Sequence, residues 1–125
     1  MKSALLVALG GAIGSVARYK LSGLVLHHTE GWKFPLGTFL VNLVGCLVIG
    51  VLAGLAVKDD FFTTETRVFL FTGLCGGFTT FSAFGLETFY LLRRDELAVA
   101  GCYVMLSLAC GLLALWGGFS AVPHQ

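Results

Sequence analysis

From Leu36 to Val57 the chain carries no charged side chain, and three further stretches are almost as apolar. This pattern constrains the fold more than any other feature. A helix rises ~1.5 Å per residue, so about 20 mostly apolar residues cross a hydrocarbon core ~30 Å thick. The four stretches, 3–26, 36–57, 66–92 and 97–122, each have that length. Charged residues collect between them, in Lys58-Asp59-Asp60, Arg93-Arg94-Asp95-Glu96 and the polar segment from His27 to Lys33 that Pro35 closes. Only 12% of the residues are charged, against about 25% in a soluble domain, so lipid is the natural partner of the apolar surface. The reading is an all-α membrane protein, a single four-helix transmembrane domain over residues 1–125. A cleaved leader is a poor reading of the first stretch. It is too long, Gly10-Gly11 and Gly14 punctuate it, and Arg18 sits where a cleavage site would fall.

Basic residues do not choose an orientation. With the N-terminus in the cytoplasm, Lys2, Lys58 and Arg67 lie inside, and Lys20, Lys33, Arg93, Arg94 and Arg18 outside, three against five. The positive-inside rule orients a chain through an excess on one side, and here neither side clearly dominates. Insertion in both orientations would permit an antiparallel homodimer. The alternative is that the rule is noisy in so short a chain. Cys46, Cys75, Cys102 and Cys110 lie within apolar stretches, form no CxxC pair and read as small packing residues.

The polar residues inside the spans carry the functional signal. The chain has 17 glycines, several at small-residue spacing that lets helix backbones approach in lipid. The third span reads Thr72-Gly73-Leu74-Cys75-Gly76-Gly77-Phe78-Thr79-Thr80-Phe81-Ser82-Ala83-Phe84-Gly85. Paired glycines before paired β-branched threonines disfavour a continuous helix and predict a third helix broken mid-membrane. Such a break exposes carbonyls and amides that protein, water or an ion must satisfy. The competing reading is a kinked helix whose hydroxyls bond back to the preceding turn. In the second span Thr38 and Asn42 share a face; in the fourth, Tyr103, Ser107 and Gly111 do. Together with Thr80 and Ser82 they supply hydrogen-bond donors from three helices, a set suited to passing a hydrogen-bond acceptor. Phe81 and Phe84, three apart, could turn positive ring edges toward a small anion, although packing is the commoner role of such residues. Arg18 and Glu87 are the charged residues within spans that do not obviously reach a loop, and they are functional candidates by default. Arg18 lies late enough in its span to snorkel instead.

Three patterns resemble the Fluc (CrcB) fluoride channels: Gly10-Gly11-x-x-Gly14-x-x-x-Arg18-Tyr19, Gly37-Thr38-x-x-Val41-Asn42-x-x-Gly45 and Gly73-x-x-Gly76-Gly77-x-Thr79-Thr80-Phe81-Ser82-x-Phe84. The third is highly specific, and the likeness extends over the whole chain. It implies an antiparallel dual-topology homodimer with two fluoride pores, in the cell inner (plasma) membrane, giving passive fluoride export and protection from fluoride. It further implies that carbonyls of Gly76 and Thr79 from both subunits hold a structural sodium ion at the dimer interface. Asn42, Phe81, Phe84, Ser107 and Tyr103 match pore-lining positions, with Thr38, Ser82 and Thr80 as further polar candidates. Arg18 matches a basic vestibule residue, and Glu87 an acidic residue close to the pore. Ala83 and Gly111 stand where the family commonly has hydroxyls, so the polar track is thinner here. The implied partners are fluoride, a second copy and the bilayer, with no nucleic acid.

The main rival is a small multidrug-resistance-type proton-coupled exporter, which needs a membrane carboxylate, normally in the first helix. The first span holds only Arg18 and Lys20, and the rival leaves the Gly-Gly-Phe-Thr-Thr-Phe segment unexplained. A scaffold subunit would account for the glycines but not for the donors. An enzyme is not expected, because no nucleophile–base pair or metal cluster is visible.

Overall fold

The computed structural model describes residues 1–58 and 62–123; the Asp59–Asp60 part of the second charge cluster lies outside them. Four helical segments among the described residues are long and apolar enough to cross a membrane: Lys2–His28, Leu36–Val57, Thr64–Arg93 and Leu97–Ala121. The first, second and last are single helices, α1 (Lys2–His28), α2 (Leu36–Val57) and α6 (Leu97–Ala121). The third segment is composite. It opens with α3 (Thr64–Arg67), widens into a π-helix (Val68–Cys75), returns to one α turn, α4 (Gly76–Phe78), and resumes as α5 (Phe81–Arg93). Between α4 and α5 the backbone is extended, with ψ of 158° at Thr79 and 115° at Thr80.

Hydrophobicity gives no drive for helices to associate in lipid, so the bundle relies on close backbone contact. Gly10 and Gly14 of α1, one turn apart, face Gly73 and Gly77 of the third segment. A Cβ on Gly10 would stand 2.7 Å from the Phe69 carbonyl oxygen, and one on Gly77 would stand 2.6 Å from that of Gly11. At Gly14 an added Cβ would overlap the Leu74 carbonyl oxygen. α2 and α6 meet in the same way, Gly118 against the Leu47 carbonyl and Gly50 against that of Leu115. The sequence spacing therefore reflects two glycine-lined seams, α1 with the third segment and α2 with α6.

Among the described residues, two ion pairs fasten the ends. Lys2 meets Glu65 at 3.6 Å, and Lys33 in the first connection meets Glu96, at the start of α6, at 3.0 Å. The first is exposed on both sides and contributes less than about 1 kcal/mol, whereas in the second Glu96 is half-buried. The connection between α5 and α6 turns at Asp95, whose φ is 58°. Large apolar side chains cover the outside, among them Leu5, Leu9 and Ile13 on α1 and Met105, Leu112 and Trp116 on α6. Such a surface needs lipid or another apolar chain against it.

The seam makes an opposed pair of predictions. Gly14→Val is expected to abolish a single folded species in size-exclusion chromatography in mild detergent. Gly23 has nothing within 4 Å of its virtual Cβ. Gly23→Ala is expected to raise stability by about 0.5–1 kcal/mol, because Ala loses less backbone entropy in a helix. Equal behaviour of the two variants in a thermal melt would contradict the seam.

Candidate functional site

The extended pair Thr79–Thr80 needs partners for its backbone groups, and α2 supplies them. Asn42 donates from Nδ2 to the Thr80 carbonyl at 3.0 Å, and its Oδ1 accepts from the Thr80 N–H at 2.8 Å. The carboxamide thus pairs with both sides of one residue, much as a neighbouring strand would. This also orients Asn42, since the flipped amide would set N–H against N–H and oxygen against oxygen. The Thr80 hydroxyl accepts from the Ala83 N–H at 3.1 Å and caps α5. The Thr79 hydroxyl donates back to the Cys75 carbonyl at 2.9 Å, the back-bonding of the kinked-helix reading, on the last turn before the extended pair.

These bonds leave carbonyls without their usual helical donors. The Thr80 N–H would close a turn on Gly76 but goes to Asn42. The Ala83 N–H would close one on Thr79 but goes to the Thr80 hydroxyl. Gly77 keeps a donor from outside the helix, the Arg18 Nε at 3.1 Å. Arg18 therefore turns inward onto the end of α4, one helical turn beyond the Gly14 contact.

On the outer side of Asn42 lies a cavity of about 310 Å³ between α2, the extended pair, α5 and α6. Its lining brings together Asn42, Thr79, Thr80, Phe81, Phe84 and Ser107, with Cys46, Ile49, Leu108 and Leu115 as its apolar part. The Phe81 and Phe84 rings are 5.8 Å apart and tilted by 47°. Phe81 is 83% exposed. Ser82 lies beside the cavity, its hydroxyl 3.2 Å from that of Thr80 and exposed.

Tyr103 and Thr38 form a second polar group. Tyr103 is fully buried, stands against Phe84 at 5.1 Å between ring centroids, and donates its hydroxyl to Glu87 Oε1 at 3.2 Å. Thr38, 8% exposed, stands near the same hydroxyl from α2. Glu87 lines a further cavity of about 380 Å³ with Ala83, Lys33 and Arg94. Phe84 lies between the two groups, lining the first cavity and with its ring against Tyr103.

Cys46 lines the first cavity although its sequence context reads as packing. It sits one turn beyond Asn42 on α2, a spacing that could have flagged it. Its sulfur is the atom nearest a virtual Cβ on Gly111, at 3.4 Å, so the position lacking a hydroxyl faces a thiol instead. Phe34 was also unmarked in the sequence, and no motif marks it.

The family model described as CrcB-like protein, Camphor Resistance (CrcB), matches residues 5–119. The chain belongs to the CrcB family. A fluoride-specific ion channel FluC of Methylobacillus flagellatus is 59% identical to it over 122 residues, covering 98% of this chain and 95% of that protein. The Flavobacterium psychrophilum protein of the same name is 44% identical over 118 residues, covering 94% of each. Fluoride-specific ion channel FluC 1 of Nitrobacter hamburgensis is 46% identical over 118 residues, covering 94% of this chain and 93% of its own. Family membership and four spanning helices make this CrcB chain a multi-pass membrane protein.

The pairing at the extended segment is testable as a stability term. Asn42→Leu keeps the branched skeleton of the side chain but orphans the Thr80 N–H and carbonyl, each worth about 1–3 kcal/mol when buried unpaired. A clearly lower thermal midpoint in detergent is expected; a midpoint equal to that of the parent would show that the pairing carries no stability.

Proposed function

We propose that this chain is a fluoride channel that lets fluoride leave the cell passively through the path running by Asn42, Phe81, Phe84 and Ser107. The observation that carries the reading is the pinned carboxamide of Asn42. Its Oδ1 already accepts from the Thr80 N–H, and one N–H of its NH₂ group remains beyond the bond to the Thr80 carbonyl. What Asn42 can offer an anion in the cavity is that remaining donor. Ser107 adds a rotatable hydroxyl, and Phe81 and Phe84 can add positive ring edges. The names of the relatives agree with this chemistry.

Fluoride is small, strongly hydrated and a strong hydrogen-bond acceptor, so its passage is a problem of dehydration. Neutral donors replace part of its water without the full charge that would trap it. Conduction requires binding favourable enough for entry and weak enough for exit. Beyond Phe84 the polar lining continues with Thr38, Tyr103 and Glu87, where Tyr103 holds the Glu87 carboxylate by a hydrogen bond. Arg18, on the Gly77 carbonyl, places a fixed positive charge near the other end of the path, where it favours anion entry.

The reading includes a second copy, antiparallel to the first, with the extended pair at mid-membrane depth. Near-balanced basic residues on the two sides support it, as does the exposure of Phe81 and Gly76 beside backbone that lipid cannot satisfy. The carbonyls of Gly76 and Thr79, deprived of their helical donors, fit a sodium ion, a hard cation that takes oxygen ligands. Two from each copy would hold it between them. Such an ion, when bound, would make the potential along both paths more positive without standing in either.

A proton-coupled drug exporter is not favoured, since α1 contains no carboxylate and the relatives bear a channel's name. Passive efflux from liposomes separates the readings. Purified protein is expected to release fluoride quickly, to leak no chloride and to exchange no proton-coupled drug. Asn42→Asp, which puts a negative charge on the path, is expected to abolish fluoride efflux; normal efflux would overturn the assignment of the path. Ala83→Thr restores a hydroxyl beside Glu87 and is expected to change the efflux rate, and identical rates would exclude that position from the path.

A further inference from the structure

The first connection does more than join two helices. Trp32 closes a turn onto the Thr29 carbonyl, Lys33 reaches Glu96 at 3.0 Å, and the Leu36 N–H returns to the Phe34 carbonyl at 2.8 Å. Held at both ends, the segment turns Phe34 inward. Its ring meets Tyr103 edge to face, with centroids 5.4 Å apart and planes at 88°, and meets Phe39 at 5.4 Å and 74°. Tyr103 meets Phe84, and Phe84 meets Phe81, at 5.1 and 5.8 Å. An unbroken row of rings therefore runs from a connecting segment to the cavity beside Asn42.

The Tyr103 ring has few ways to be held. It is fully buried, and its hydroxyl has two polar neighbours, Thr38 and Glu87, on different helices. Whether that hydroxyl reaches Glu87 depends on the angle of the ring, and Phe34 bears on the ring at a right angle. Edge-to-face pairs have a preferred geometry that an aliphatic side chain of similar size does not impose.

We propose that Phe34 is a positioning residue for the ion path: its ring sets Tyr103 so that the hydroxyl meets Glu87 while the other side of the ring backs Phe84. The proposal rests on the channel reading for its effect on flux, but its structural half stands apart from it. The first connection thereby contributes to conduction without touching the ion.

The test uses Phe34→Leu and Phe34→Met, the second because methionine adapts to irregular gaps and tolerates a core position. Fluoride efflux per folded protein is read in liposomes. The hydrogen-bonding state of the tyrosine hydroxyl is read by Raman spectroscopy in a Tyr19→Phe, Tyr90→Phe background, in which Tyr103 is the sole tyrosine. Whichever variant folds is expected to slow efflux about two- to tenfold, the range that follows from losing one aromatic pair. It is also expected to weaken the donor signature of Tyr103. Unchanged efflux overturns the proposal, and so does slower efflux with an unchanged signature, because Phe34 would then act by another route. If the parent protein passes no fluoride while the signature still responds to Phe34, the channel reading fails and the positioning of Tyr103 survives.

Discussion

The structure depends on how the extended backbone at Thr79 and Thr80 is satisfied. In an apolar medium no water stands ready to pair an exposed N–H or carbonyl, and each one left alone costs several kcal/mol. A helix avoids the problem by pairing its own groups; an interruption recreates it. Asn42 answers it from α2, taking both the N–H and the carbonyl of Thr80. The Thr80 and Thr79 hydroxyls take one backbone group each, and Arg18 covers the Gly77 carbonyl from α1. The interruption is thus held from two neighbouring helices and from its own side chains.

That arrangement requires backbones to come close, and the glycines allow it. Gly10 and Gly14 bring α1 against the third segment along the turns that are wound as a π-helix, whose Gly76 N–H reaches back to Phe71. π turns are rare and concentrate at functional sites, where they change the direction a helix faces. Here the π-helix leads through α4 to the extended pair. Close packing at Gly14 also sets the depth of Arg18, one turn later, so that its guanidinium meets α4 rather than the lipid surface. The glycine seam and the inward arginine are consequences of one contact.

The same logic separates the two polar groups. Around Asn42 the groups are neutral polar side chains and the Phe81 and Phe84 rings, and around Glu87 they are the buried Tyr103 hydroxyl and a carboxylate. Phe84 stands between them and touches both. A residue in that place can transmit the position of Tyr103 toward Phe81 without any polar contact of its own. The interior is dense enough that a ring displaced at one end has to be accommodated by its neighbours.

Much of this was legible in the residues. The lengths of the apolar runs determined four spanning helices, because hydrocarbon thickness and helix rise leave little choice. Gly-Gly-Phe-Thr-Thr marked an awkward stretch of helix because the propensities there are local. Spacing alone placed Thr38 with Asn42 and Tyr103 with Ser107. What α2 does for Thr80 was not readable, since Asn42 and Thr80 are 38 residues apart and no local rule joins them. Nor did the sequence show that Arg18 turns inward, for a late-span arginine can equally snorkel and only the Gly14 contact decides between the two. Phe34, which no sequence pattern marks, is a half-buried ring packed against the core around Tyr103. Sequence by itself determined which segments cross the membrane and which carry polar groups, because both follow from the local pattern. Tertiary structure alone decided which of those groups meet, because partners distant in the chain are chosen by helix packing, and here that packing is governed by where a missing Cβ lets two backbones touch.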